Sequence, residues 1–422
     1  MIKTWHPVLS GLCISLSLAG CSLGGQMTDL RGVENENPTG MQAAAAKLEA
    51  TRSEVILNFK SLAQLDALAT AGVDLFENVD RERGTVGATI NKETAPILQK
   101  LGVTYTIKQN TTKAGFPSGY QTVEQVYADM KATAAAHPDF IQYVEFGKSL
   151  ETVDGKASRP MAALRFTSKR DAKLPAVRIG SGIHARELPP VELTSRLFHL
   201  LADGYGKDAT ITKLVDTKDI WIVPLQNPDG RVRVEKGSAM WRKNTRKNNA
   251  FSEGVDCNRN GDDHWAQGSS NSSADDYHGA APFSEPESQA IRDLAAKVKF
   301  DTSIDVHCYG GMILWPPGFD NSVTADEASF SRIGGAMGKK LNYKAGTIAR
   351  TIYKTYGDLA TWEYGAHKTL AFAAELDTNG FNPGYAEVDR QWAKWKDSFL
   401  YLIGETGAPR GALKSGPQFL IR

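Results

Sequence analysis

Three side chains that could do chemistry crowd together at one junction of the chain. In the segment Gly180–Glu192, GSGIHARELPPVE, the residues His184, Arg186 and Glu187 follow directly on the apolar run AVRIG. A histidine and a carboxylate three residues apart form half of a zinc site, because a catalytic zinc takes three protein ligands and leaves one position to water. This spacing is common on protein surfaces, so the hypothesis depends on a third ligand from elsewhere.

His307 is the candidate for the third ligand. It ends the apolar segment KFDTSIDV and leads into CYGG, so it follows a second predicted strand. In an open α/β sheet, ligands bind beyond the carboxyl ends of the strands, where both junctions would meet. A buried histidine without a metal would suit the same position equally well.

The elements that must position these residues alternate along most of the chain. The predicted strands are nearly continuous apolar runs at 174–180, 218–225, 299–306 and 369–376. Amphipathic helices are predicted at 122–138, 191–204, 284–298 and 391–405. Such alternation predicts an α/β fold with a mixed, mostly parallel sheet and helices on both faces.

A smaller domain is predicted upstream, because residues 51–109 have the order β-α-β-β-α-β of a ferredoxin-like α+β domain, with its second strand predicted at 73–80. The predicted divisions are a signal peptide at 1–20, a tether at 21–50, the small domain at 51–109, a linker at 110–117, the large domain at 118–408 and a tail at 409–422. Lys113 is a candidate cleavage point in the linker. The formal net charge of the 422 residues is +1, so no nucleic-acid partner is expected.

The first 21 residues, MIKTWHPVLSGLCISLSLAGC, combine Lys3 with a short apolar stretch and small residues before Cys21. This pattern predicts a signal peptide and therefore an exported protein. The ending LAGC resembles the bacterial lipobox, which implies a lipid on Cys21 and anchoring to a membrane. Ser22 resembles an outer-membrane sorting residue, which implies the periplasm or the cell surface. A plain secretory signal cleaved nearby is the alternative.

Seven ordered motifs between about 118 and 405 make the chain similar to the zinc metallocarboxypeptidases, the carboxypeptidase A-like family. They are HARE at 184–187, MWRKN at 240–244, GVDCNRN at 254–260, FSEPE at 283–287, IDVHCYGG at 304–311, TIYKTYGDLATWEYG at 351–365 and AELDTNG at 374–380. The resemblance implies an α/β sheet covered by helices on both sides. It also implies that residues 51–109 correspond to the ferredoxin-like prodomain that many members carry.

The resemblance implies a role for each matching residue. His184, Glu187 and His307 correspond to the ligands of one zinc ion per chain, which lowers the pKa of bound water to about 7. Glu375 corresponds to the general base. Arg242 corresponds to the arginine that stabilises the oxyanion of the tetrahedral intermediate.

The substrate-binding residues follow in the same way. Asn258 and Arg259 correspond to the pair that grips the terminal carboxylate of a peptide or protein, for which an arginine fork is suited. Tyr353 corresponds to the mobile tyrosine that closes over the last residue, and Arg186 to a further subsite arginine. The implied reaction is metal-assisted hydrolysis of the C-terminal peptide bond.

Two other functions are weighed against this one. An endopeptidase of the same fold, acting on cell-wall peptides, would not need a clamp for a terminal carboxylate, so Asn258 and Arg259 favour the exopeptidase. A non-catalytic binding module would have lost the metal ligands or Glu375, and all of them are present.

The preferred C-terminal residue is predicted from the segment after Tyr353. By the resemblance, Ala360 and Ala373 line the specificity pocket, and a methyl group offers no partner to a buried cation. Large apolar or aromatic residues are therefore expected. Asp358 lies two residues before Ala360 and would give a mixed preference if it turned inward.

Cys257 and Cys308 are the cysteines outside the N-terminal segment. The resemblance brings both near one site, because Cys257 precedes Asn258 and Cys308 follows His307. Exported proteins form disulfides, so the two cysteines are expected either to be bonded or to remain two free buried thiols.

Overall fold

The computed structural model describes residues 53–110 and 115–411. The predicted signal peptide, Cys21, the tether, Lys113 of the linker and most of the tail lie outside the described residues. No helix within the two described ranges combines the length and the apolar character that crossing a membrane requires.

The N-terminal unit has the predicted βαββαβ order. Its elements are β1 (Ser53–Asn58), α1 (Leu62–Thr70), β2 (Asp74–Leu75), β3 (Thr85–Ile90), α2 (Ala95–Lys100) and β4 (Thr104–Asn110). The strands lie in the order β2-β3-β1-β4 and pair antiparallel. This order along the chain and across the sheet is that of the ferredoxin-like motif.

The second strand of this unit is much shorter than the one predicted at 73–80. After Leu75 the chain leaves the sheet, and the Phe76 ring makes an edge-to-face contact with Phe381 of the larger unit, with ring centroids 4.8 Å apart. Phe76 is fully buried in the apolar core of that unit. The prediction is wrong beyond Leu75 because a contact with a distant part of the chain determines where this segment lies.

The larger unit is built on one eight-stranded sheet. Its strands are β5 (Ile141–Lys148), β6 (Pro160–Phe166), β7 (Ala176–Ser181), β8 (Asp219–Val223), β9 (Thr302–Cys308), β10 (Met312–Trp315), β11 (Lys344–Thr347) and β12 (Leu370–Leu376). The helices are α3 (Val123–Ala136), α4 (Leu150–Val153), α5 (Leu188–Gly204), α6 (Ala209–Thr217), α7 (Pro228–Glu235), α8 (Pro286–Val298), α9 (Glu327–Leu341), α10 (Ile348–Thr351), α11 (Leu359–His367) and α12 (Ala386–Glu405).

The sheet is parallel at its centre and mixed toward its edges. Its order is β11-β10-β12-β9-β7-β8-β6-β5. The neighbours from β12 through β9 and β7 to β8 are parallel, as are β10 and β11, whereas β10 with β12, β6 with β8 and β5 with β6 are antiparallel. β7, β8 and β9 are buried at every position, so their sequences do not alternate between apolar and polar residues. The predicted fold class is confirmed.

Helix α5 begins at Leu188, three residues before the predicted start at 191. Its first turn contains Pro189 and Pro190, which fit there because the first N–H groups of a helix have no intrahelical partner. Glu187 is the N-cap residue. The end of β7 and the first turn of α5 thus fix both ends of the His184-to-Glu187 segment.

Cys257 and Cys308 are buried free cysteines, so the disulfide alternative is wrong and the free-thiol alternative holds. The two side chains belong to different apolar clusters, which explains why the nearness of their sequence neighbours does not bring the sulfur atoms together.

Candidate active site

Strands β7, β9 and β12 bring the predicted metal-binding and catalytic residues to one edge of the sheet. His307 lies in β9 directly opposite Glu375 in β12. His184 and Glu187 follow the last residue of β7, which is the other neighbour of β9. Because these three strands are parallel, their carboxyl ends meet, and all four side chains are buried there.

The two histidines and Glu187 face a common point. His184 Nδ1 lies 2.7 Å from Glu187 Oε1, while His307 Nδ1 lies 3.2 Å from both His184 Nδ1 and Glu187 Oε2. One ligand atom from each residue lies within 4.8 Å of the others. Among the described residues, these three form the group that could hold a metal ion. Tetrahedral zinc binds nitrogen and oxygen ligands at about 2.0–2.2 Å, so ligand atoms about 3.3 Å apart fit that ion.

The carboxylate of Asp256 lies beside this set. His184 Nε2 lies 3.3 Å from Asp256 Oδ1, and Arg242 Nε donates to Asp256 Oδ2 at 2.9 Å. Burial alone would raise the pKa of Asp256, but Arg242 and His184 hold it well below its usual value. A carboxylate on one ring nitrogen leaves the other nitrogen of His184 available to a metal.

Arg242 and Glu375 each have one side-chain atom that makes no hydrogen bond. Nη1 of Arg242 and Oε2 of Glu375 are buried and have no hydrogen-bond partner among the described residues. Burial raises the pKa of Glu375 well above its usual value, and the negative charges of Glu77 and Glu187 add to that effect.

A cavity next to the metal-binding residues contains the predicted clamp and the predicted specificity position. Its lining includes Asn258, Arg259, Ala360 and Ala373 together with His307. Asn258 Oδ1 accepts a hydrogen bond from the backbone N–H of Leu359 at 3.1 Å, which fixes the amide. Arg259 Nη1 donates to the carbonyl oxygen of Asn258, and within the described ranges no carboxylate forms an ion pair with Arg259.

The N-terminal unit covers this crevice. Arg186 donates to Asp74 through both terminal nitrogens, at 2.6 and 2.9 Å, and the pair is buried. The Tyr353 hydroxyl donates to the carbonyl oxygen of Leu75 at 2.9 Å. Glu77 lines the same cavity as His307 and Glu375. Two predicted substrate-binding residues, Arg186 and Tyr353, are thus engaged by the segment 74–77.

Sequence reasoning missed Asp256, Asp74 and Glu77. Asp256 lies within the motif GVDCNRN, two residues before Asn258, so its place in that motif was an available signal. Asp74 and Glu77 fall in a segment that has the appearance of an ordinary strand, and nothing in its local pattern indicates a contact with the crevice.

A family model described as zinc carboxypeptidase, peptidase M14, matches residues 126–398. The chain belongs to this zinc carboxypeptidase family. Mouse carboxypeptidase A2 is 30% identical over 366 residues, which cover 78% of this chain and 86% of the mouse protein. Pig carboxypeptidase A1 is 30% identical over 287 residues, which cover 65% of this chain and 66% of the pig protein.

Solved structures show the same fold. Carboxypeptidase A from Helicoverpa armigera superposes with a TM-score of 0.73 at 24% identity, covering 85% of this chain and 98% of the insect chain. The thrombin activatable fibrinolysis inhibitor superposes with a TM-score of 0.68 at 22% identity, covering 84% of this chain and 99% of the other.

The protein is therefore a metallocarboxypeptidase, a peptide hydrolase with zinc as its cofactor. Carboxypeptidases act on the C-termini of peptides and proteins, and neither the cell-wall endopeptidase nor the binding module is favoured. The roles of the single residues in this zinc carboxypeptidase stay predictions.

We expect His307→Ala to lose the zinc, because a site that keeps two of three ligands binds the metal far more weakly. Glu375→Gln is the matched control, since Glu375 lies opposite His307 in the sheet but outside the cluster, and it should keep about one zinc per chain. Metal analysis of the two purified variants makes the comparison. Full zinc occupancy in His307→Ala would remove His307 from the ligand set.

Proposed function

We propose that this zinc carboxypeptidase removes single residues from free peptide C-termini, and that residues 53–110 hold it in a latent form. The observation that supports both parts is the crevice in which Arg259 lies beside the metal-binding cluster and into which Glu77 reaches. Arg259 provides the positive charge that a terminal carboxylate requires.

The proposed catalytic roles of Glu375 and Arg242 are supported by side-chain atoms that have no hydrogen-bond partner in the crevice. Zinc held by His184, Glu187 and His307 would act as a Lewis acid and lower the pKa of bound water to about 7. Glu375 takes the proton of the attacking water and delivers it to the leaving amine. Its free Oε2 is the acceptor for that proton. Nη1 of Arg242 is the donor for the developing oxyanion, and Asp256 holds the guanidinium in place.

The Glu375→Gln protein with its zinc retained also tests the base. Its turnover should fall by about two to four orders of magnitude, the usual contribution of a general acid or base. Turnover close to that of the wild type would assign the base to another residue.

The terminal-carboxylate clamp gives a test that separates exopeptidase from endopeptidase. Arg259→Met should cripple hydrolysis of peptides with a free C-terminus, because the carboxylate loses its charged partner in a buried site. Amidation of the substrate C-terminus should do the same to the wild type. Arg292→Met, on a half-buried residue that pairs with Asp293, is the matched control and should leave the rate unchanged. Equal hydrolysis of amidated and free peptides would support the endopeptidase.

The latent form is supported by three contacts of one short segment. Asp74 neutralises Arg186, Leu75 holds the hydroxyl of Tyr353, and Glu77 adds a carboxylate to the cavity. A substrate needs the same two side chains, so segment and substrate exclude each other. Departure of the N-terminal unit also removes the charge of Glu77. The pKa of Glu375 then falls, which favours the ionised form that a base requires.

We expect Asp74→Asn to raise the activity of the intact chain by about tenfold or more. The substitution leaves Arg186 buried without a counter-charge in the closed form, which makes closure costly. Asp66→Asn is the matched control, because Asp66 lies at a more exposed part of the same interface, where its Oδ2 is 3.8 Å from Lys354 Nζ. Peptide hydrolysis by the undigested proteins is the measurement. An Asp74→Asn protein no more active than the control would contradict the role of this ion pair.

We also propose that the enzyme is exported and anchored to the outer membrane through a lipid on Cys21, at the periplasmic side or the cell surface. The support is the sequence LAGC followed by Ser22. Stable anchoring takes at least two acyl chains, which a diacylglyceryl cysteine supplies. Mass spectrometry of the mature N-terminus should find that group on Cys21, and the Cys21→Ser protein should lack it. An unmodified mature chain that begins elsewhere would refute anchoring.

A further inference from the structure

Glu77 is a carboxylate that the N-terminal unit places in the cavity of the metal-binding residues. It lines that cavity together with His184, His307 and Glu375, and its side chain is buried. Burial raises the pKa of Glu375, and the negative charge of Glu77 is the next largest cause, because the two carboxylates share one cavity. A buried carboxylate requires a cation or hydrogen-bond donors as partners.

Packing on both sides fixes the backbone at Glu77. The backbone N–H of Phe76 donates to the carbonyl oxygen of Gly87 at 2.8 Å, and the Phe76 ring packs against Phe381 of the larger unit. On the other side, a Cβ atom at Gly310 would lie 3.1 Å from the carbonyl oxygen of Glu77. Gly310 therefore lets the two chains approach closely, and the fold itself holds the carboxylate in the cavity.

Glu77 has no ionic partner among the residues that the structure describes. Its Oε2 is buried and makes no hydrogen bond with any of them. Glu54 is a second buried glutamate that the same unit directs toward the larger unit, and it is paired. Its Oε1 lies 3.0 Å from Lys108 Nζ and accepts a hydrogen bond from the Tyr309 hydroxyl at 3.2 Å. The two glutamates therefore differ in whether the protein supplies a partner.

The metal site has a positive charge to compensate, whereas the buried arginine beside it is already paired. Nε and Nη2 of Arg242 both lie 2.9 Å from Oδ2 of Asp256, so each of these charges has a partner. A zinc ion has two positive charges, and its set of two neutral histidines and Glu187 supplies one negative charge. One positive charge remains at the metal, on the side that its three ligands leave open.

We propose that Glu77 is an outer partner of the zinc site in the intact chain, where its carboxylate compensates the remaining charge of the metal. The inference rests on the proposed latent form, in which the N-terminal unit closes the crevice. Glu77 lies outside the compact group of three ligand residues, so it acts through the water at the open position and not as a fourth ligand. The N-terminal unit thus strengthens zinc binding, and by reciprocity zinc strengthens closure.

The test is the zinc affinity of the uncut full chain, measured at neutral pH by competition with a coloured zinc chelator. Glu77→Gln keeps the size of the side chain and removes its charge. We expect it to weaken zinc binding by about tenfold or more, the usual effect of losing an outer partner of a metal site. Glu54→Gln is the matched control, because the charge of Glu54 is paired with Lys108, and its zinc affinity should stay within about twofold of the wild type.

Cobalt(II) in place of zinc gives a second measurement that does not depend on affinity. Histidine and carboxylate ligands bind this ion as well, and its visible absorption bands respond to changes around the metal. In the fully loaded, uncut chain, Glu77→Gln should shift these bands, because the metal loses a charge beside its open position. Glu54→Gln should give the spectrum of the wild type.

The outcomes separate this inference from the latent form on which it rests. Unchanged zinc affinity and unchanged cobalt bands in Glu77→Gln, in a wild type that is silent until the linker is cut, overturn the inference and leave latency intact. An equal loss of zinc affinity in Glu54→Gln also overturns it, since any charge change at the interface would then have the same effect. An uncut wild-type chain that hydrolyses free C-termini at its full rate overturns the latent form and the inference together.

Discussion

The parallel pairing of β7, β9 and β12 is the constraint on which the rest of the site depends. Ligand atoms from distant parts of the chain can face one point only if their strands end side by side. The register that sets Glu375 opposite His307 then brings a carboxylate next to the metal-binding cluster. Because this edge of the sheet is buried, each charge there needs a partner, and Asp256 serves both His184 and Arg242.

The need of buried charges for partners also explains why the N-terminal unit pairs with the crevice. A crevice that binds a peptide carboxylate contains cations, and a cation left buried without a counter-charge is unfavourable. Asp74 supplies that counter-charge to Arg186 in the intact chain. In the proposed latent form, inhibition and substrate binding would therefore use one set of charges.

Much of the site could be predicted from the sequence, because its residues lie in short motifs at the ends of apolar strands. The strand junctions made His184, Glu187 and His307 candidates, and the resemblance of the motifs implied that they form one ligand set. The alternation of strands and helices predicted the sheet. The strand predicted at 73–80 was wrong because the Phe76 contact with Phe381 joins residues about three hundred positions apart. The orientation of the Asp358 side chain could not be predicted, because it depends on the hydrogen bond that its Oδ1 accepts from the backbone N–H of Thr361. The position of Asp305 in the cavity wall could not be predicted either, because it depends on how the strands pack.

The measurement that tests the central claim most directly is the rate at which the zinc-loaded full chain releases the last residue of a peptide with a free C-terminus, followed while linker 110–117 is cut. If the segment 74–77 closes the crevice, the rate starts low and rises by about tenfold or more in proportion to the loss of intact chain. An intact chain that already works at its full rate, with no gain on cleavage, would contradict the claim that one crevice serves both the N-terminal unit and the substrate.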